Sequence, residues 1–178
     1  IREACSTASQ WPGNVSVSVN VSATQFAHDG FINAVMQALA EAEFAPQRLE
    51  LEFTENIFST NADLARETFS ELRMLGVRVS LQNFGSGNSP IAYLRHSQFD
   101  KIKIDRSITQ EVTLSGSRCA AIAASIATLA QKLGMVTVAE GIEASDELQV
   151  MNDLGIDQIQ GFIYSPPCSA DAVSEALA

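Results

Sequence analysis

Apolar and polar residues alternate in short runs along the chain, and segments with helical periodicity separate these runs. The alternation predicts strands over 15–21, 49–55, 77–81 and 99–105. A nearly all-apolar run over 135–139 predicts a strand buried on both faces, and a last short strand reaches Gln160. Because strand and helix signals alternate and no hairpin signal appears, we expect six strand–helix units in a parallel α/β fold.

The segments between the strands repeat their apolar residues every three or four positions, which predicts helices packed on the sheet. We expect helices over 1–9, 61–75, 119–133, 145–154 and 170–178, a helical turn over 91–94, and a helix whose buried stripe is Phe31, Val35 and Leu39. In the second of these helices the spacing predicts four inward residues, which are Leu64, Thr68, Leu72 and Leu75. Gly76 and Gly134 follow two helices, as is common at helix C-termini.

A polar side chain stands near the carboxyl end of every predicted strand. These residues are Asn20, Glu52, Gln82 with Asn83, Lys103 with Asp105, Glu140 and Gln160. Ligands of parallel α/β folds bind at this edge of the sheet. Carboxylate and amide oxygens suit a hard divalent cation such as Mg²⁺, a lysine suits a phosphate or a water, and a second acid could accept a proton from that water. The pattern therefore predicts a site.

Ordinary structural roles stay open for single members of this set. Asn20 could bond only its own backbone, and Glu55 could be a surface acid or a helix N-terminal charge. Lys103 shares a strand face with Asp105, so a structural pair and a site are both open. Gly85 and Gly87 fit a plain turn after the strand as well as a functional loop.

Composition narrows the class of protein. The 178 residues suit one domain over 1–178, and 46% hydrophobic residues with a mean hydropathy of +0.08 supply a core. A net charge of −10 without a basic stripe argues against duplex nucleic acid as a partner. No apolar run is long enough to span a bilayer. We expect no direct membrane contact and a cytoplasmic location, with any tether supplied by upstream domains.

Cysteine and histidine usage points away from a metal site built on these residue types. Cys5, Cys119 and Cys168 are odd in number and far apart, which fits reduced core thiols better than disulfides or a zinc site. His28 and His96 are isolated in the sequence, and we expect both on the surface.

Six motifs along the chain, in order and with compatible spacing, resemble those of the EAL domain family, which comprises cyclic di-GMP phosphodiesterases and their degenerate receptor relatives. The motifs are Asn20-Val21-Ser22, Leu51-Glu52-Phe53-Thr54-Glu55, Asn83-Phe84-Gly85-Ser86-Gly87, Lys101-Ile102-Lys103-Ile104-Asp105, Ala139-Glu140-Gly141-Ile142-Glu143 and Gln160-Gly161-Phe162. The resemblance implies a TIM-like (βα) barrel whose ligand is the cyclic dinucleotide.

The resemblance also implies roles for single residues. Metal-site positions are Asn20, Glu52 and Glu140, with Mg²⁺ or Mn²⁺ as the cation, and Glu140 also lies near the attacking water. Lys103 matches the lysine that orients water and phosphate, and Glu55 matches the acid that braces the loop after the third strand. We expect ligand contacts from Lys103, Asp105, Glu143 and Gln160, the last at the edge of the site.

Gln82 and Asn83 stand where the family has two aspartates that bridge two metals. An amide offers a neutral oxygen, so the site loses two charges, and we expect a divalent cation to bind weakly and its water to be less acidic. Lys103 and Glu140 are then vestiges of the catalytic set. The following loop also departs from the family pattern at Asn88 and Pro90.

The Glu-Ala-Leu signature that names the family is absent, and about six of the eight barrel strands are present. The chain starts at Ile1 without an initiator Met, so we expect a fragment whose two preceding strands lie upstream. An unclosed barrel leaves strand edges unpaired. We therefore expect pairing with another copy or with an upstream segment.

The sequence predicts a degenerate EAL domain that acts as a regulatory or receptor module and is catalytically silent or nearly so, through either weak cyclic di-GMP binding or protein contacts. Two alternatives stay open. One is an active metal-dependent phosphodiesterase, and the other is a protein-interaction scaffold without nucleotide binding.

Overall fold

The computed structural model describes residues 1–60, 62–86, 94 and 99–177. Six strands form a sheet in the order β1-β2-β3-β4-β5-β6, so neighbours in the sheet are also successive along the chain. Their bounds are β1 Val17–Val21, β2 Leu49–Phe53, β3 Arg78–Phe84, β4 Lys101–Ile104, β5 Val136–Glu140 and β6 Gln158–Gln160. Every pair whose register is described is parallel, as the alternation of strand and helix signals predicted.

Helices occupy the connections between these strands. Their bounds are α1 Arg2–Ala8, α2 Ala23–Phe26, α3 Phe31–Glu41, α4 Asn56–Thr60, α5 Ala62–Met74, α6 Arg106–Thr109, α7 Cys119–Leu133, α8 Ser145–Asp153 and α9 Ala170–Leu177, with a 3-10 turn over Pro46–Arg48. The contacts divide the chain into two compact units. The described part of the first unit covers 1–60, 62–80, Leu94 and 168–177, and that of the second covers 81–86 and 99–167.

The first unit is built on the parallel pair of β1 and β2. Val19 is the register partner of Leu51, and every residue of β2 is buried, including Glu50 and Glu52. An aromatic cluster covers this pair, with Phe53 at its centre. The rings of Phe26 and Phe69 lie 5.5 and 5.2 Å from that of Phe53 in edge-on contact, a geometry that adds to the burial of apolar area.

Arg48 ties the start of β2 to the segment that precedes β1. Its Nε donates to the carbonyl of Val15 at 2.7 Å, and its Nη2 donates to the carbonyls of Ala8 and Trp11. The guanidinium also lies 4.7 Å from the centre of the Phe44 ring. One planar cation with several donors therefore satisfies three backbone carbonyls where α1 ends and β1 begins.

The second unit is built on β4, β5 and β6. Lys103 is the register partner of Val138, and Glu140 is the partner of Gln160. Thr137 links β5 to the residue before β6, because its backbone N–H and its Oγ1 both donate to Asp157 Oδ2, at 2.8 and 2.7 Å. The core of this unit includes Ile102, which is fully buried.

Most predicted helices are confirmed, but one buried face was wrong. In α5, Thr68 and Leu72 are buried as predicted, whereas Leu64 is 37% exposed and Ala65 and Phe69 take the inward positions. Residues spaced by four, as Leu64 is from Thr68, drift around the helix, and the ring of Phe69 joins the aromatic cluster instead. The predicted Leu75 is only half-buried.

The two glycines predicted at helix C-termini are confirmed. Gly76 and Gly134 follow α5 and α7 with φ of +86° and +71°. The short helices α2, α4 and α6 were not predicted, because four or five residues carry too little periodicity to detect. The predicted features at Asn61, Gly87, Asn88, Pro90 and His96, and the helical turn over 91–94 except Leu94, lie outside the described residues.

The cysteine prediction holds for one residue of three. Cys5 is buried, Cys119 is half-buried and Cys168 is exposed, and all three are free thiols. Calling all of them core thiols was therefore wrong, since Cys119 starts α7 and Cys168 lies in the exposed segment before α9. His28 is exposed as predicted, and its Nδ1 accepts a hydrogen bond from the N–H of Gly30. None of the described helices is long and apolar enough to cross a membrane.

Candidate functional site

The register of β4, β5 and β6 places three of the predicted site residues on one face of the second unit. Lys103 lies opposite Val138, and Glu140 follows Val138 by two positions, so both side chains point to the same face of the sheet. Glu140 lies opposite Gln160, which brings that amide to the same face. The sequence could place each residue at a strand end, and the register makes them neighbours.

Lys103 and Glu140 form an ion pair at this edge. Lys103 Nζ lies 2.8 Å from Glu140 Oε1, and the two side chains are only 3% and 13% exposed. Two opposite charges at this distance and burial largely cancel, and each holds the other in place. The lysine and the acid to which the resemblance assigned catalytic roles therefore form an ion pair with each other.

A short helix covers the turn that follows Glu140. The carboxylate of Asp105 caps α6 by accepting from the N–H of Ser107 at 2.9 Å. At the other end of α6, Thr109 Oγ1 donates to the backbone carbonyl of Glu140. Gly141 comes next with φ of +72°, and a Cβ there would lie 2.6 Å from Cβ of Arg106. The helix therefore fits closely against the end of β5.

The segment after β6 packs on the backbone beyond Glu140. Ile142 N–H donates to the carbonyl of Gln160 at 3.2 Å, and Ile163 N–H donates to the carbonyl of Ile142 at 3.0 Å. A Cβ at Gly161 would lie 2.7 Å from the carbonyl carbon of Ile142 and nearer still to its N and O. Only glycine fits at 161, because rigid backbone fills the space where a side chain would begin.

Gln82 and Asn83 lie near the end of β3, just before the turn that contains Gly85. Both amides are half-buried, and Asn83 has a φ of +57°, in the left-handed region that asparagine tolerates better than most residues. The carbonyl of Asn83 accepts from Ser86 Oγ at 2.9 Å. Asp105 N–H donates to the carbonyl of Phe84, so the ends of β3 and β4 lie side by side.

The first unit holds three more of the predicted residues. Asn20 is the register partner of Glu52, so the two side chains share a face of the β1–β2 pair. Glu52 is buried at 5% exposure, whereas Asn20 is exposed. Glu55 is half-buried between β2 and α4. Their assignment as metal ligands and loop brace stays a prediction.

The predicted site residues of the second unit combine neutral amides with an ion-paired acid. Gln82 and Asn83 offer neutral oxygens, and Glu140 is paired with the ammonium of Lys103. Across the described parts of the chain, no group of three or more His, Cys, Asp or Glu side chains is arranged to hold a metal ion. Glu143 is exposed, and its backbone N–H donates to Glu147 Oε2, at the start of α8.

Comparison with known proteins decides the family. The model of the EAL domain matches residues 1–167. The chain belongs to the EAL domain family. Among curated relatives, the uncharacterized protein y4lL of Sinorhizobium fredii is 37% identical over 178 residues, which is all of this chain and 21% of y4lL. The resemblance read from the six motifs is therefore confirmed.

Relatives with a stated activity belong to cyclic di-GMP signalling. The bifunctional diguanylate cyclase/cyclic di-GMP phosphodiesterase MucR of Pseudomonas aeruginosa is 34% identical over 163 residues, which is 92% of this chain and 24% of MucR. A solved complex of the PaMucR phosphodiesterase with c-di-GMP has a TM-score of 0.90 and 33% identity over 97% of this chain and 71% of that chain.

A second solved structure was determined with a metal. The manganese and cyclic di-GMP complex of Klebsiella pneumoniae BlrP1 has a TM-score of 0.86 and 31% identity, and covers 94% of this chain and 43% of that chain. These EAL structures have a TIM-like fold, which confirms the predicted fold class. The chain spans about a fifth to a quarter of the length of y4lL and MucR.

Two features of the candidate site were not predicted from the sequence. The direct pairing of Lys103 with Glu140 depends on a register between β4 and β5 that no local pattern encodes. The hydrogen bond from Thr109 to Glu140 joins residues 31 positions apart. The one available signal was Asp105 at the head of a possible helix, which would have indicated α6 but not its contact.

Proposed function

We propose that this EAL domain is a regulatory or receptor module in cyclic di-GMP signalling that hydrolyses the nucleotide slowly or not at all. The observation that carries the proposal is the charge of the site in the second unit. Gln82 and Asn83 are neutral, and the charge of Lys103 is balanced by that of Glu140 at 2.8 Å. Two aspartates in place of the amides would give the same groups a charge of −2.

The loss of this charge bears directly on hydrolysis. Metal-assisted hydrolysis needs anionic ligands that hold the cation and a cation that lowers the pKa of its bound water. Two amides supply neither the bridging geometry nor the negative field. Weak retention of Mg²⁺ or Mn²⁺ and little activation of water follow from this donor set.

The same ion pair sets an expectation for nucleotide binding. A phosphate that uses Lys103 must compete with Glu140, which already lies at hydrogen-bond distance from the ammonium. Part of the attraction for an anion is therefore cancelled before the ligand arrives. This supports weak rather than tight binding of cyclic di-GMP, with Asp105, Glu143 and Gln160 as proposed further contacts.

Titration calorimetry tests the receptor proposal. Cyclic di-GMP added to the chain without metal should give measurable heat with weak affinity. Absence of heat at high nucleotide concentration would contradict the receptor role and favour the interaction scaffold.

The three free thiols fit a reducing compartment, which supports the proposed cytoplasmic location.

Restoring the acids tests the charge argument separately. The variant Q82D/N83D should bind Mn²⁺ more tightly than the wild type, and aspartate at 83 suits the left-handed backbone there. The matched control is Q131D/N152D, which adds two acids at exposed helical positions and should not change Mn²⁺ affinity. Equal affinity in all three proteins would mean that the site has drifted beyond these two positions.

We further propose that the edge of β1 pairs with another strand, from a second copy or an upstream segment. β1 ends the sheet order, and a cleft of about 490 Å³ beside it is lined by residues that include Val19, Val21 and Phe31. Among the described strands β1 pairs on one side only, and such an edge next to an apolar cleft favours addition of a strand.

A further inference from the structure

Thr109 is a fully buried hydroxyl residue at the end of α6, and it belongs to none of the family motifs read from the sequence. Its Oγ1 lies at hydrogen-bond distance from the backbone carbonyl of Glu140 and 3.2 Å from that of Arg106. A hydroxyl has a single proton to donate, and the carbonyl of Glu140 is the nearer acceptor. The hydroxyl therefore joins α6 to the end of β5.

The bond acts at the residue that carries the acid of the site. Glu140 is the last residue of β5, and the chain then turns through Gly141 at a φ of +72°. The described ladder between β4 and β5 ends one residue earlier, where Ile104 lies opposite Ala139. Arg106 fills the space next to Gly141, and Thr109 bonds the preceding carbonyl, so α6 restrains the turn at two adjacent positions.

We propose that Thr109 is a positioning residue for Glu140, and that its hydroxyl fixes the backbone from which the carboxylate reaches Lys103. A carboxylate 2.8 Å from a buried ammonium needs a defined backbone origin, since the glutamate side chain has three rotatable bonds. The relevance to nucleotide binding rests on the proposed function, whereas the positioning role itself does not.

The test uses two substitutions at 109 and one matched control. T109V keeps the shape of the side chain and removes the donor, and T109S keeps the donor. T137V is the control, because Thr137 lies on the same strand as Glu140, is 2% exposed and loses its hydroxyl bonds with Asp157 near the opposite end of β5. Any general loss of stability should appear in both valine variants.

The measurement is NMR of the Lys103 ammonium and the Glu140 carboxylate without nucleotide. In T109V the ammonium protons should exchange about fivefold faster, the factor expected when one ordinary hydrogen bond is lost. The Glu140 carboxylate carbon should also shift. T109S should retain the wild-type values, and T137V should leave both signals unchanged.

Three results would overturn the proposal. They are an unchanged ammonium signal in T109V, an equal change in T137V, or failure of T109S to restore the wild-type signal. A measurement on the wild type keeps the proposal testable if T109V does not fold. A slowly exchanging Thr109 hydroxyl proton should correlate with the carbonyl carbon of Glu140, and its absence would equally refute the bond. Because no ligand is added, these outcomes are independent of the calorimetric test of receptor function.

Discussion

Breaking the ion pair between Lys103 and Glu140 gives a prediction whose size follows from the structure. The perturbation is a double-mutant cycle made of E140Q, K103M and the double variant. Each single variant leaves one partner charge in a poorly hydrated place, because the side chains are 3% and 13% exposed. The double variant removes both charges together, so it should be more stable than the sum of the two single effects predicts.

The magnitude depends on distance and burial. At 2.8 Å, two unit charges attract by about 6 kcal/mol at an effective dielectric constant of roughly 20. Desolvation of the two groups offsets part of this attraction, and loss of one partner of a buried pair typically costs about 3–5 kcal/mol. We expect a coupling energy of about 3 kcal/mol, which is several times that of a typical exposed pair.

The assay is urea unfolding followed by circular dichroism, with comparable m-values required across the four proteins. The pair of Asp63 and Arg66 serves as the matched control, with a similar distance of 3.0 Å but side chains 83% and 57% exposed. Its cycle should give about 0.5 kcal/mol or less. A coupling for Lys103 and Glu140 as small as that of the control would refute the claim that the two charges hold each other.

Three further predictions test other parts of the structure. G161A should lower the free energy of unfolding by about 3 kcal/mol, because its Cβ would meet the backbone of Ile142. The control G13A has no atom within 4 Å of the added Cβ and should change the free energy of unfolding by less than about 0.5 kcal/mol. Equal losses in the two variants, measured by urea unfolding, would contradict this prediction. Burial raises the pKa of the Cys5 thiol, so the folded state holds that proton more tightly. The resulting stabilisation is complete below the ordinary thiol pKa and is lost as the pH rises through the raised pKa. Cys5 should also react with a thiol reagent more slowly than the exposed Cys168, and equal rates would refute this order. Light scattering should show a species larger than one chain, and a well-ordered monomer would contradict pairing at the edge of β1.

Periodicity was sufficient for the long elements of the fold. The predicted helix over 119–133 coincides with α7, because fifteen residues with an inward stripe and a glycine at the end give several agreeing signals. It was insufficient for α5, where spacing alone could not distinguish Leu64 from Phe69 as the inward residue. That choice depends on the aromatic cluster, which gathers rings distant in sequence.

The site was predictable as a set of strand ends but not as a set of contacts. Parallel alternation places Lys103 and Glu140 at one edge, and their register decides that they pair directly. Contacts such as that of Thr109 depend on how a short helix packs, and a four-residue helix leaves almost no trace in the sequence. The left-handed conformation of Asn83 is a similar case, since asparagine permits it without requiring it.

The central claim is that two amides at 82 and 83 deprive this EAL domain of the charge that metal-dependent hydrolysis requires. The most direct test is an assay of cyclic di-GMP hydrolysis by the wild-type protein, with Mg²⁺ and with Mn²⁺, beside an active EAL phosphodiesterase as the positive control. We predict little or no linear dinucleotide from the wild type under conditions in which the control turns over its substrate. Robust turnover by the wild type would contradict the account.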